Sequence, residues 1–532
     1  MDSAAETRRR LRVLLPLAVF VVVIDSTIMN VSIGALVDDL DTEIAGVQSA
    51  IALYALVMAS FLLTGAKLGD ILGRRRAFSL GLGLYGVGSA GTALSQSLTM
   101  LILFWSVIEG LGAAVLFPTV QALVRTHFEG GDRMKLYALI GSVVGAGAAV
   151  GPLVGGFFTT LLTWRLAFAV EVLIVLVVLL QVRHIPVRST PQPWRDFDAV
   201  GALLSVLGLG GVIVGILVGS RPGQTVAWPL VGGGVLLLVV LGWWISRRER
   251  FGRAPLVRSA LVRDSTFRSG VTQSLVQQFV VGGSMLITPI FVQMVLEYSA
   301  LQSGLVVMPL SLSMFVTSNS VPRLRNRFSS RPLLQFGMVT MIAGIAWLTV
   351  ILGPDTGALS LVPGLLLMGI GLGFQMSQLN NLILSSVPVE QASEAGGVNT
   401  TAGQFGISLG TALAGTLMLV GLTASFGDLT ASSDILDEPA QDAVADALER
   451  DARIISNTEL EELLDESEAD PELQAEIIRI NTEARPQALR LALLAPLLAG
   501  FVGLATSTRL PRNPATDVPS LPDITPDERT DP

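Results

Sequence analysis

Fourteen stretches of this chain are long and apolar enough to cross a lipid bilayer, and they decide what solvent it folds in. About 20 apolar residues span the hydrocarbon as a helix. Such stretches lie near residues 12–36, 45–66, 77–95, 98–124, 135–160, 166–183, 199–219, 227–246, 270–296, 303–322, 333–353, 359–383, 397–424 and 486–508. Charged residues make up 15% of the chain, against about 25% in a soluble domain. The expectation is an all-α integral membrane protein with 14 transmembrane helices. An even number puts both termini on one side.

Basic residues orient the chain, because cytoplasmic loops carry an excess of Lys and Arg. With the N-terminus in the cytoplasm, 28 of the 35 Lys and Arg fall in the N-terminus, the inner connections and the C-terminal tail. The other seven are Arg165, Arg221, Arg450, Arg453, Arg479, Arg485 and Arg490. The run MDSAAETRRRLR leads straight into apolar sequence with no small-residue cleavage site, so it reads as an uncleaved first span. Both termini are therefore expected in the cytoplasm.

Composition also removes several chemistries. There is no Cys, which excludes disulfides and thiolate metal sites, and the two His, His127 and His184, fall in short connections. A metal, a cofactor, a nucleic-acid partner or an intramembrane enzyme is not expected.

Residues 425–485 carry 18 Asp or Glu against four Arg. This acidic loop reads as short helices outside the membrane. Asp470-Pro471 has the pattern of a helix start, and Thr458-x-x-Glu461 that of a capping box. It is either a solvated lid or a vestibule that concentrates cations.

An internal repeat organises the rest. The connection AKLGDILGRRRAF (66–78) after the second span aligns with PRLRNRFSSRPLL (322–334) after the tenth, with Asp70 facing Asn326, Gly73 facing Ser329 and Arg75 facing Arg331. Two six-helix sets with an inserted pair follow, and repeats of this kind place a transporter's substrate site near the midplane between them. The expected units are a bundle at 1–184, linker and inserted helices at 185–267, a second bundle at 268–424, the acidic loop at 425–485, the last helix at 486–508 and a tail at 509–532.

Four motifs then resemble the major facilitator superfamily, specifically its fourteen-helix drug:proton antiporter branch, over nearly the whole length. Asp25-Ser-Thr27-Ile-Met-Asn30 is similar to the branch's first-helix signature D-x-T-x-x-N. Leu68-Gly-Asp70-Ile-Leu-Gly73-Arg74-Arg75 resembles the family's inner-loop motif. Gly147-Ala-Ala-Val-Gly151-Pro152-Leu-Val-Gly155-Gly156 fits the exporter motif of the fifth helix. Gly396-Gly397-Val-Asn399-Thr400 with Gln404 resembles a segment of the thirteenth. The chain departs at Ala66 and Ser49, where the family has Gly and Trp. It also has Ser106-Val-Ile-Glu109-Gly110 where the family has R-x-x-Q-G, and Glu171 where the branch usually has Asn.

The resemblance implies two bundles rocking about a central cavity, with a small-molecule substrate exchanged for protons. A glycine ridge (Gly147, Gly151, Gly155, with Pro152 and Gly156) would seal the bundles. Asp70, Gly73, Arg74 and Arg75 would act as a conformational switch, by an ion-pair latch. The expected setting is a bacterial inner membrane, with lipids around a monomer.

Ionisable residues within spans are functional candidates by default. An ionised residue at a helix centre costs about 2.5–3.5 kcal/mol. Asp25, Glu109 and Glu171 are the candidates for proton coupling, with Glu171 nearer the outer face and within reach of Arg165. Two carboxylates facing one low-dielectric cavity cannot both ionise cheaply. Trp105, Glu109 and Gly112 share one face at helical spacing, which suits an organic cation. Asn30, Gln273, Gln277, Asn319, Gln375 and Gln378 add neutral polar groups to the expected cavity, with Asn380, Met285 and Met376 beside them. The reading is a proton-coupled exporter of apolar or cationic compounds. Alternatives are a dedicated exporter of a metabolite, antibiotic or lipid and, more remotely, a non-transporting sensor.

The orientation is directly testable. A Cys at Ser432, in an otherwise wild-type chain, is expected to react with an impermeant thiol reagent in intact cells. An unlabelled, well-expressed variant refutes the topology.

Overall fold

The computed structural model describes residues 2–128, 130–183, 185, 197–218, 226–324, 328–387, 392–433, 435, 456–466 and 471–510. Every regular element among them is helical. A first group comprises α1 (Asp2–Val31), the short α2 (Ile33–Asp39), α3 (Ile44–Leu72), α4 (Arg74–Ala93), α5 (Leu98–His127), α6 (Gly130–Leu161) and α7 (Trp164–Val182). The inserted pair is α8 (Ala199–Val218) and α9 (Trp228–Arg250). The second group is α10 (Ser265–Val295), α11 (Ala300–Leu324), α12 (Ser330–Ile351), α13 (Ala358–Ser385), α14 (Ala392–Ala431), α15 (Asn457–Glu466) and α16 (Pro471–Ser507).

Among the described residues, 12 helices are long and apolar enough to cross a membrane, or 13 if the bent helix α6 counts as one. The 14 expected from sequence include α4, which has the length but not the apolarity, since five glycines and Arg74–Arg76 dilute it. The two halves of α6 meet at 42°. Pro152 lies just beyond the bend; it cannot donate to the carbonyl one turn back, and its ring crowds that carbonyl.

The glycines of α6 divide their work between two partners. Gly147, Gly151 and Gly155 face α1, where any Cβ on Gly151 would overlap Thr27 Oγ1 and one on Gly155 would lie 2.9 Å from Ile28 Cα. The ridge expected to seal the bundles thus packs inside the first one. The contact with the second bundle is made by its other edge. A Cβ on Gly156 would lie 2.6 Å from Leu301 Cα, and Gly304 of α11 sits against the Pro152 carbonyl. Small residues let backbones approach this closely where no side chain could intervene.

Two buried glutamines join the bundles in the same half of the molecule. Helix α1 breaks at Ser32, and Gln293 of α10 fills the break: its Nε2 donates to the Val31 carbonyl at 3.0 Å, and its Oε1 accepts from Gly34 N at 3.0 Å. Gln48 of α3 donates to the carbonyls of Thr411 and Ala412 on α14 at 3.4 and 3.3 Å. Ser408 Oγ donates to the Ala52 carbonyl beside it at 2.7 Å. Helix α8 packs on both α3 and α14, whereas α9 turns Val235, Leu236, Val239 and Trp243 outward, as a lipid-facing helix does.

The acidic segment is anchored. Helix α16 starts at Pro471, 15 residues before the expected last span, so part of the presumed loop extends that helix. The start of α15 is capped from another connection. Glu297 accepts from the backbone N of Asn457 at 2.6 Å and from Thr458 Oγ1 at 2.6 Å, in place of the expected Thr458–Glu461 box. A carboxylate at a helix N-terminus is favoured by the orphan N–H groups and the dipole. Asn457 also accepts from Arg485, which is fully buried and donates to the Met294 carbonyl. Asp470 lies outside the described residues.

Gly151→Leu should force α1 and α6 apart. Export is expected to fall at least tenfold with the protein still expressed in the membrane. Wild-type transport by this variant would show that the α1–α6 approach is not needed.

Candidate functional site

Three acids expected on separate helices converge. Asp25 of α1 and Glu109 of α5 are 0% exposed and Glu171 of α7 is 2% exposed. One oxygen from each carboxyl lies within 4.8 Å of the others. No Lys or Arg among the described residues hydrogen-bonds to or ion-pairs with any of them. Glu171 does not turn to Arg165. That arginine ion-pairs with Asp39 and donates to the Ser95 carbonyl, leaving Glu171 to the cluster.

Glycines on α4 make the convergence sterically possible. A Cβ on Gly88 would lie 2.5 Å from the Glu109 Cβ, and one on Gly112 of α5 would lie 2.5 Å from Tyr85 N. A Cβ on Gly86 would meet Val175 Cγ1 of α7 at 3.0 Å. Helix α4 is therefore wedged tightly between α5 and α7, and Ser89, next to Gly88, donates to Glu109 Oε1 at 2.8 Å.

Helix α5 is not regular here. Residues Ile102–Glu109 form a π-helix, a wider turn found often at functional sites. The face expected for Trp105, Glu109 and Gly112 assumed α-helical spacing, and the π segment changes it. Trp105 is 1% exposed, and its Nε1 donates to Asp25 Oδ1 at 2.9 Å. Its ring stacks on Tyr54, with centroids 4.7 Å apart and planes within 9°. Ser106, at the position where the family carries Arg, donates to the Ala50 carbonyl of α3 at 2.8 Å.

Few donors serve the cluster. Of its six carboxyl oxygens, Asp25 Oδ1 and Glu109 Oε1 accept hydrogen bonds. Asp25 Oδ2, Glu109 Oε2 and both Glu171 oxygens are buried without a partner. The hydroxyls of Tyr54 and Tyr85 are also buried and unpaired, and both lie beside Asp25. Three carboxylates so close cannot all carry charge in a water-poor interior. Neutralising that charge takes protons or a cation, and the three carboxyls are close enough together to surround one ion.

The other expected site residues divide. Gln375 donates to the Leu334 carbonyl at 2.8 Å and Gln378 accepts from Ser330 Oγ at 3.3 Å, so both tie α13 to α12. Gln273 accepts from Thr506 of α16 at 3.4 Å, and its Nε2 is buried without a partner. Gln277 is buried on the same helix. Asn30 and Asn319 donate to carbonyls of their own helices, Ser26 at 2.6 Å and Phe315 at 2.8 Å. Asp70 is half-buried and forms no ion pair with Arg74 or Arg75; Arg74 donates to the Ala122 carbonyl at 2.9 Å instead. The switch residue Gly73 has φ +84°, a backbone open to glycine. The side chain of Asn380, and Asn326, lie outside the described residues.

Sequence reasoning missed Tyr54, Tyr85 and Ser89 at the cluster and Gln48 and Gln293 between the bundles. Tyrosine within the expected spans was a usable signal, since Tyr54 and Tyr85 are two of only four in the chain. The family model described as Major Facilitator Superfamily matches residues 15–411. The chain is 32% identical over 417 residues to the puromycin resistance protein pur8 of Streptomyces alboniger, covering 77% of this chain and 81% of that one. It is 26% identical over 416 residues to the multidrug resistance protein Stp of Mycobacterium tuberculosis (strain CDC 1551 / Oshkosh), covering 77% and 75%. Among solved structures, a bacterial homolog of the human lysosomal transporter Spinster, in an inward-facing and unoccupied conformation, superposes with a TM-score of 0.60. It shares 14% identity over 96% of this chain and 98% of that one. On the strength of the family match, this chain belongs to the Major Facilitator Superfamily.

Proposed function

We propose that the protein exports small apolar or cationic compounds in exchange for protons, and that Asp25, Glu109 and Glu171 form one exchange site. The observation that carries this reading is the cluster itself: three buried carboxyls, four idle oxygens and no resident cation among the described side chains. Charge there must be neutralised from outside, by protons or by a cationic group. A site that holds either one at a time couples their movements in opposite directions. Trp105 and Tyr54, stacked beside Asp25, offer aromatic surface to an organic cation. The relatives named for multidrug and puromycin resistance support export of drug-like compounds.

The basic-residue bias supports both termini in the cytoplasm and the acidic segment outside. A bacterial plasma membrane and one chain as the transporting unit complete the proposed setting. In that orientation the tight half of the bundle interface, with Gln293, Gln48, Gly156 and Gly304, faces outward. The described conformation is then closed to the outside. The neutral residues Gln273, Gln277 and Asn30 border the substrate path. Gln375 and Gln378 brace its wall, with Asn319 further toward the cytoplasm.

The cluster is tested by adding substrate to proteoliposomes and recording proton movement. Glu109→Gln and Glu171→Gln are each expected to reduce substrate-driven proton flux at least tenfold while substrate still binds. The double variant should be no worse than the poorer single one, since groups acting as a unit are not additive. Full coupling in Glu109→Gln would move proton exchange elsewhere. The gate is tested separately. Gln293→Leu removes the bonds to Val31 and Gly34, so a Cys at Asn30 should react several-fold faster with an impermeant reagent added outside. An unchanged rate would mean that this amide does not hold the outer closure.

A further inference from the structure

Helix α16 carries three arginines, and two are fully accounted for. Arg479 pairs with Glu476 at 2.7 Å and Glu483 at 3.0 Å. Arg485 donates to the backbone of Asn481 and Met294 and to Asn457. Arg490 differs: its guanidinium has no hydrogen bond or ion pair among the described residues, and its Nε is buried without a partner. A guanidinium presents five donors and stays charged, so a partly buried one without an acceptor is costly.

The unused donors border a cavity. Arg490, Gln487, Glu483, Pro486 and Pro354 line a space of about 310 Å³. Its depth is set by Pro354, which sits in the short turn joining α12, ending at Ile351, to α13, starting at Ala358. A turn between two consecutive spans lies at the membrane surface, level with the lipid headgroups. The side chains around it agree: Val350 and Leu359 are 76% and 86% exposed, as only lipid-facing apolar groups at a span's end should be. Trp347, with its indole N–H on the Ser360 carbonyl, is placed as interfacial tryptophans are.

We infer that this cavity binds the phosphate of a membrane phospholipid headgroup on Arg490, with the acyl chains lying along Val350 and Leu359. Arginine suits the role, because its planar fork meets phosphate oxygens with two parallel hydrogen bonds. The Glu483 carboxylate on the same wall does not oppose an anion outright, since Arg479 already offsets it. Gln487 supplies a neutral amide for the headgroup. The site is remote in role from the carboxyl cluster and does not depend on the export reading.

Three additives test it on the full chain purified in detergent and stripped of lipid. Short-chain phosphatidylglycerol should raise the thermal unfolding temperature saturably, and diacylglycerol with the same chains should not. Arg490→Gln should weaken the half-saturating phosphatidylglycerol concentration about tenfold or more, the loss of a charge-assisted pair of bonds. Arg490→Lys should keep part of the response. Gly353→Val retains the arginine but crowds it, since a Cβ there would already lie 3.3 Å from Arg490 Nη2, and it too should weaken binding. This variant carries the test if Arg490→Gln does not fold. A wild-type titration in both variants, or equal stabilisation by diacylglycerol, overturns the assignment. Inorganic phosphate stabilising as well as the lipid at equal concentration would overturn the lipid as occupant.

Discussion

Three carboxyl groups held together in a membrane interior, with no Lys or Arg among the described residues paired to them, set the terms for the first bundle. Each of Asp25, Glu109 and Glu171 is buried, and together they accept only two hydrogen bonds. In a soluble core such a group would be matched by Arg or Lys. Here the position on α5 where the family carries Arg is Ser106, whose hydroxyl donates to the Ala50 carbonyl instead. The charge deficit is left open, which is what the proposed exchange of positive charges requires.

Keeping that cluster together places demands on the backbone. The carboxyls meet only because α4 offers Gly88 to α5 and Gly86 to α7, and because α5 widens into a π-helix over Ile102–Glu109. The same glycines dilute the apolarity of α4, which is why a helix of full length falls short of the hydropathy of its neighbours. Close packing and weak hydropathy have one cause. The second bundle uses glycine similarly, with Gly337 and Gly371 close to the facing backbone of α13 and α12.

Much of this was legible in the sequence, and the failures share a reason. Apolar runs identified most spans, since burial in hydrocarbon demands length and composition that any reader can count. In-span charge identified Asp25, Glu109 and Glu171 as unusual. What sequence could not supply was rotation. Glu171 was expected to reach Arg165, but Asp39 occupies that arginine and α7 presents Glu171 inward. Trp105 and Glu109 were placed on one face by α-helical periodicity, which the π segment breaks. The sequence pattern of the α6 glycines reads as a seal between bundles, yet Gly151 meets Thr27 of the same bundle, and it is Gly145, Pro152 and Gly156 that face across. Neutral glutamines carry the least signal. Gln293 and Gln48 join the bundles while Gln375 and Gln378 brace one of them, and nothing in their local sequence separates the two roles.

Helix α1 links the charge site to the closure. Asp25 lies six residues before Val31, about 9 Å along an α-helix. Between them, Thr27 and Ile28 are clamped against Gly151 and Gly155. At Val31 the helix stops, and Gln293 of the other bundle binds both sides of the break. A change in charge at Asp25 alters what Trp105 and the neighbouring acids can hold in place, and so bears on the position of α1. Because α1 is gripped by glycines along one face, it can shift only together with α6, whose Pro152 and Gly156 contact α11. The rigid unit that carries Asp25 is thus the one that meets the second bundle at the seam. Such a seam has two packed arrangements rather than a continuum, since close-packed interfaces do not deform gradually. On the proposed function, occupancy of the carboxyl cluster and opening of the seam are two readings of one equilibrium. In the proposed exchange, a cation and a proton competing for the cluster bias that equilibrium through the same helix.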